Sequence, residues 1–132
     1  MTNATLPADL ARKIRAGLTD LAVDARTEYM NLYGLTSETL PLALTGEIDP
    51  PALYESEYDP VDSWVEGCEL ALGDMISEFL PESDMDIVDS VRDAEGRPWT
   101  VPSAVATLLA EVETEVFGMV LSDPDNPDDY GV

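Results

Sequence analysis

Apolar residues return every three or four positions along the first quarter of the chain, at Leu10, Ile14, Leu18, Leu21, Ala25, Tyr29 and Leu32. That period places them on one face of a helix. The pattern predicts a helix over 7–33, with Pro7 at its first position, Asp9 in the first turn where the helix dipole favours an acid, and Gly34 as its stop. A short helix is expected over 37–45, capped by Ser37, with Pro41 near its start and Gly46 at its end. The stretch "EIDPPALYESEYDP" then holds three prolines before the next apolar run and reads as a loop.

A second strong stripe follows: Val61, Trp64, Val65, Cys68, Leu72, Met75, Ile76 and Phe79. It predicts a helix over 60–80, with Asp59 as cap, Pro60 at the first position and Pro81 as terminator. In "DIVDSVRDAEGRPWTV", the run Asp93, Ala94, Glu95, Gly96 has the residues a type I turn prefers at its ends. Residues 87–92 and 97–101 can flank that turn as a short β-hairpin, with Pro98 placing the second strand on an edge. A last helix is expected at about 104–121, capped by Ser103, with Val105, Leu108, Leu109, Val112, Val116 and Val120 inward. Trp64 and Trp99 are expected in the core. The tail "SDPDNPDDYGV" has few apolar residues and is expected to be a flexible acidic extension over 122–132. The sum is a mainly α, single-domain helical bundle over 1–121, of about four helices with one short β-hairpin at about 87–101.

Composition adds one dominant fact. The 132 residues include 28 acidic and 6 basic side chains and no histidine, for a formal net charge of −22. With 45% hydrophobic residues the chain can still build a core, so the acidity does not imply disorder. Charge of this sign repels nucleic acid and anionic membranes and attracts cationic proteins. Cys68 is the only cysteine, so no internal disulfide forms. The opening "MTNATLPADLARK" lacks the basic-then-apolar order of a signal peptide, and no apolar run approaches the length of a membrane span. The expectation is a cytoplasmic protein, acting in the host cytoplasm if phage-encoded.

Little in the sequence points to chemistry. Without histidine the commonest general base and metal ligand is missing. There is no Gly-rich phosphate loop, and Cys68 falls on the apolar face of its helix as a small hydrophobe. Asp84 with Asp86, and Asp123 with Asp125, Asp128 and Asp129, are the carboxylate groupings available to a hard cation. Pro127 interrupts the second, and both read as solvated charge. The expectation is no enzymatic activity, no cofactor and no metal. The segment "YGLTSETLPLALTGEIDP" resembles the second half of a phage-repressor-type helix-turn-helix, with Gly34 in the turn and Ser37 starting the reading helix. That helix would carry Glu38 and no basic residue, whereas DNA binding draws most of its affinity from neutralised phosphates. No DNA binding is therefore expected.

The acids are also segregated. From 27 to 91 there are sixteen acids and no base, and fourteen of those acids lie between 47 and 90. Duplex DNA carries one charge per ~1.7 Å of axis, so the charge of −22 matches about 37 Å of duplex. A compact domain of this length is about 36 Å across. If extended, Glu55, Glu57 and Asp59 would form a row spaced at about 6.7 Å, close to the phosphates of one strand. On the next helix Asp62, Glu66 and Glu69 are about one turn apart, as are Asp74 and Glu78. Glu82, Asp84, Asp86 and Asp89 continue the acidic stretch, and Tyr54 and Tyr58 stand within it as interface-type aromatics.

In size, charge and helical content the chain resembles the DNA-mimic inhibitors, a class that includes anti-restriction and several anti-CRISPR proteins. The resemblance implies a stoichiometric inhibitor of a nuclease, CRISPR effector or restriction enzyme subunit, occupying a basic nucleic-acid-binding groove through the residues just named. Two other readings stand beside it. One is an acidic immunity protein or secretion chaperone for a basic partner. The other is an ordinary domain of a halophile, with which one lysine against five arginines agrees. A homodimer is compatible with any of them.

Overall fold

The computed structural model describes residues 6–95 and 102–122. Among them are five helices and no strand: α1 (Ala8–Tyr33), α2 (Leu40–Leu44), α3 (Pro60–Ser77), α4 (Glu82–Glu95) and α5 (Ser103–Phe117).

Helix α1 is the spine. Leu10, Ile14, Leu18, Ala22, Tyr29 and Leu32 bury its inner face against α3 and α5. Leu21 and Ala25 pack at the margin of that face, and Ala22, absent from the predicted stripe, is fully buried. Pro7 sits at the cap, one residue before its expected place. Gly34 ends the helix in the left-handed region (φ 62°), where a Cβ is costly, and its N–H donates to the Met30 carbonyl. Gly17 serves a different purpose. The Phe79 ring stands against it, and a Cβ there would overlap the ring.

The short helix is trimmed to Leu40–Leu44, and Ser37 does not cap it. Instead Thr36 and Thr39 form a local turn, in which the Thr36 amide donates to Thr39 Oγ1 at 2.8 Å. Five residues make little more than one turn of helix. The repressor-like segment therefore lacks a reading helix.

Helix α3 follows the expected stripe, with Val61, Trp64, Cys68, Leu72 and Ile76 buried. Non-helical dihedrals at Ala71 (φ −142°, ψ 31°) kink it without breaking the four-residue repeat of its inner face. The chain leaves α3 through Leu80, which is buried, and Pro81. The Pro81 carbonyl then accepts the Asp84 and Met85 amides and so opens α4, whereas α3 has already ended at Ser77, short of the expected 80 and of Pro81 as its terminator.

The expected hairpin is corrected here. Residues 87–92 are helical, inside α4, and 96–101, with the rest of the turn, the second strand and Trp99, lie outside the described residues. Met85, Val88 and Val91 recur at helical spacing, and the last two are buried. Glu82 and Asp84 occupy the first turn and Arg92 the last, the arrangement a helix dipole favours. A two-stranded hairpin has no comparable local support in water.

Helix α5 starts at Ser103, behind Pro102 as cap, and ends at Gly118 (φ 82°), short of the expected 121. Val105, Leu109 and Val112 point inward as expected, while Val120 is 57% exposed because it lies past the helix end. Side chains from all five helices join one hydrophobic core. No helix of the described residues is long and apolar enough to cross a membrane.

Candidate acidic interface

Three segments meet at the C-terminal end of α1. The Leu53 amide donates to the Leu32 carbonyl at 2.7 Å, and the Leu53 side chain lies against Gly34. Tyr58 Oη donates to Glu28 Oε2 at 3.4 Å, and Tyr33 Oη donates to Asp59 Oδ2 at 2.8 Å. Asp59 Oδ1 caps α3, accepting the amides of Val61 and Asp62 at 2.9 and 3.1 Å. Loop 47–59 is thus tied to α1 at Leu53, Tyr58 and Asp59, and the start of α3 is set beside it.

The carboxylates at this end share a common field. Asp62 titrates above its ordinary range, first because burial removes solvent and then because Asp59 and Glu66 repel its charge. Tyr29 is pushed up by burial, then by Asp59, Asp62 and Asp49. Its ring meets that of Tyr33 edge to face, with centroids 5.0 Å apart. Tyr33 is pushed up to about 12, chiefly by its hydrogen bond to Asp59.

The straight row of Glu55, Glu57 and Asp59 is not realised. The loop bends at 53–54 and 57–58, and the Ser56 hydroxyl donates to the Tyr58 carbonyl at 2.6 Å. Glu55 and Glu57 remain exposed and, with Tyr54, line an open depression. Asp59 commits both oxygens to the fold and is half-buried.

The remaining named acids divide by position. Asp62 and Glu66 are exposed on the first turns of α3, and Glu69 is half-buried one turn on. Asp74 and Glu78, both exposed, lie past the Ala71 kink, and Asp74 is about 18 Å along the helix from Asp62. Glu82 and Asp86 are exposed on α4. Asp84 and Asp89 are half-buried and engaged: Asp84 accepts Lys13 Nζ at 3.1 Å, and Asp89 faces Arg92 at 3.6 Å. Lys13 is about 22 Å along α1 from Glu28. The stretch 55–89 is therefore two acidic groups, one at each end of the spine, rather than one surface.

The cations favour one of these groups. Arg15 bridges Glu111 and Glu115 of α5, both at 3.0 Å, which neutralises a like-charge pair one turn apart. The Glu115 bond is the main reason its guanidinium titrates even higher than usual. Arg12 pairs with Asp9, and Arg92 also reaches Asp93. Every one of these ion pairs lies away from loop 47–59 and the first turns of α3. Arg26, on the same half of α1 as Glu28, joins none of them.

One buried carboxylate escaped the sequence reading. Glu113 is fully buried. Its Oε2 accepts Trp64 Nε1 and Ser122 Oγ, each at 2.8 Å, and its Oε1 accepts the Leu121 and Ser122 amides, each at 3.2 Å. It fastens the segment after α5 to α3. The signal was present: Leu109, Glu113 and Phe117 are spaced four apart on one inward stripe. Trp64 packs against Phe117 in the core, with centroids 6.1 Å apart. Cys68 is fully buried, and burial, with Glu113 second, pushes its thiol far above the ordinary range. Among the described residues no group of three or more His, Cys, Asp or Glu side chains gathers to hold a metal ion. The aspartates from 123 onward lie outside the described residues.

Comparison of the chain with family models, with curated proteins and with solved structures finds no match.

Proposed function

We propose that this protein is a stoichiometric inhibitor that imitates nucleic acid, presenting its acidic end to the basic nucleic-acid-binding groove of a nuclease or defence complex, in the manner of anti-CRISPR or anti-restriction proteins. The observation that carries the reading is the separation of charge. Four of the five described cations, Arg12, Lys13, Arg15 and Arg92, pair with acids of α1, α4 and α5, while Glu28, Glu55, Glu57, Asp62 and Glu66 gather at the other end outside those pairs, with Arg26 as the one described cation on their half of α1. Like charges held this close raise the energy of the free protein, and a cationic groove relieves that repulsion on binding. The same field steers the encounter and makes it steeply salt-dependent. The reading calls for no catalysis, cofactor or metal, and it places the action in the cytoplasm, where such complexes work.

The test is competition. The immobilised protein captures its target from a cell lysate, and duplex DNA is added in rising amounts. Release of a nuclease or CRISPR subunit by the duplex is the expected result. Each exposed ion pair contributes up to about 1 kcal/mol, so single substitutions change affinity little. The combined Glu55→Lys, Glu57→Lys, Asp62→Lys and Glu66→Lys variant, folded by circular dichroism, should fail to capture the target. Undiminished capture by that variant, or a captured partner that duplex DNA does not release, refutes the proposal.

A further inference from the structure

The acidic end also carries an apolar surface. Leu53, Tyr54 and Tyr58 are 66%, 53% and 54% exposed, three large hydrophobic side chains within six residues of chain. The loop that bears them is held in place. The Leu53 amide is bonded to Leu32, the Ser56 hydroxyl closes the bend at Tyr58, and Asp59 is locked as the cap of α3. Tyr54 lies beside Glu55 and Glu57 in the depression, and Tyr58 reaches Glu28. The two rings therefore flank the exposed carboxylates Glu55 and Glu57 on one loop, with Glu28 beside Tyr58.

That combination selects among cations. A purely apolar partner would strip water from the carboxylates and pair none of them. An ammonium group is a compact, strongly hydrated charge that satisfies a carboxylate but covers little of an aromatic face. A guanidinium is planar and weakly hydrated, stacks on aromatic rings, and offers its N–H groups as a fork to carboxylates. We infer that loop 52–58 is a docking surface for an arginine-bearing segment of a protein partner. Tyr54 and Tyr58 stack on guanidinium planes, and Glu28, Glu55 and Glu57 accept their N–H groups. The inference rests on the acidic end being the partner-binding surface. It adds a property that imitation of phosphate by charge alone lacks, a preference for arginine over lysine.

The experiment titrates the isotopically labelled full chain with capped oligoarginine and oligolysine peptides of equal length, about ten residues, at one ionic strength. Oligoarginine is expected to bind at least about fivefold more tightly, with its largest amide shifts at 52–58. In the Tyr54→Ala/Tyr58→Ala variant the two affinities should converge, with that for oligolysine unchanged. Equal affinities in the parent protein overturn the inference, as does a preference that survives the double substitution. Neither result touches the competition by duplex DNA, so the docking surface and the mimicry fail separately.

Discussion

Glu113 makes the sharpest test of how the fold is held. Replacing it with alanine leaves four donors facing a cavity: Trp64 Nε1, Ser122 Oγ and the amides of Leu121 and Ser122. Three of them belong to a segment that can swing outward and recover water. Trp64 cannot, because it is only 5% exposed and pinned in the core. An unpaired buried donor costs about 1–3 kcal/mol, and removing one partner of a buried charged network costs about 3–5 kcal/mol. The expected loss for Glu113→Ala is therefore about 3–5 kcal/mol, a large part of the ~5–15 kcal/mol available to a domain. Glu113→Gln should cost less, about 1–2 kcal/mol. Its NH₂ group is best placed on the Oε2 side, where the Ser122 hydroxyl can turn to accept it and only the Trp64 bond is lost. Urea denaturation at fixed salt, followed by circular dichroism, measures both. Hydrogen exchange should show the Leu121 and Ser122 amides losing protection in Glu113→Ala. A loss below about 0.5 kcal/mol for Glu113→Ala, or equal losses for the two variants, would show that the buried carboxylate is not a keystone.

Gly17→Ala should destabilise by about 1–3 kcal/mol although alanine favours helices, because the new Cβ enters the space of the Phe79 ring; thermal melts of this variant and of Gly17→Ala/Phe79→Leu, which should recover part of the loss, check it. Asp59→Ala removes the cap of α3 and the acceptor of Tyr33 and should cost about 1–2 kcal/mol, whereas Asp59→Asn keeps an oxygen for the cap and should cost well under half as much in the same urea assay. Tyr33 holds its proton more tightly in the folded state, with its pKa raised from 10.0 to about 12, so its contribution is fully present below about pH 10 and is lost as pH rises through about 12. Stability measured across that window should fall less steeply in Tyr33→Phe, and an unchanged slope would refute the role given to the Asp59 bond.

The helices with long apolar repeats were legible because their signal is periodic and their ends are punctuated. The caps at Gly34 and Asp59 and the stripe from Trp64 to Ile76 stand where sequence reasoning places them. Helix α4 was misread because "IVDSV" alternates over so few residues that periods of two and 3.6 look alike, and the turn residues after it tipped the balance toward a hairpin. The acidic stretch was legible as charge and illegible as a surface. Nothing in the order of residues 55–89 shows that Lys13 reaches Asp84, that Asp59 turns inward, or that the acids form two groups 22 Å or so apart along α1. Glu28 belongs to the acidic end only because the loop folds back and Tyr58 meets it. Glu113 was hidden by the assumption that a glutamate faces water, which its position between Leu109 and Phe117 contradicts.

Cys68 is the only thiol in the chain, and the core encloses it completely. Burial holds it in the protonated form, which neither alkylates nor exchanges readily. The protein therefore comes ready for site-specific chemistry without removal of any native residue. A cysteine introduced at Ser56 or Ser63, both exposed beside the acidic end, would be the sole reactive sulfur under native conditions. A fluorophore there would report a partner's approach, and a photocrosslinker would mark the residues it brings. Slow labelling of Cys68 itself would give the frequency with which the core opens.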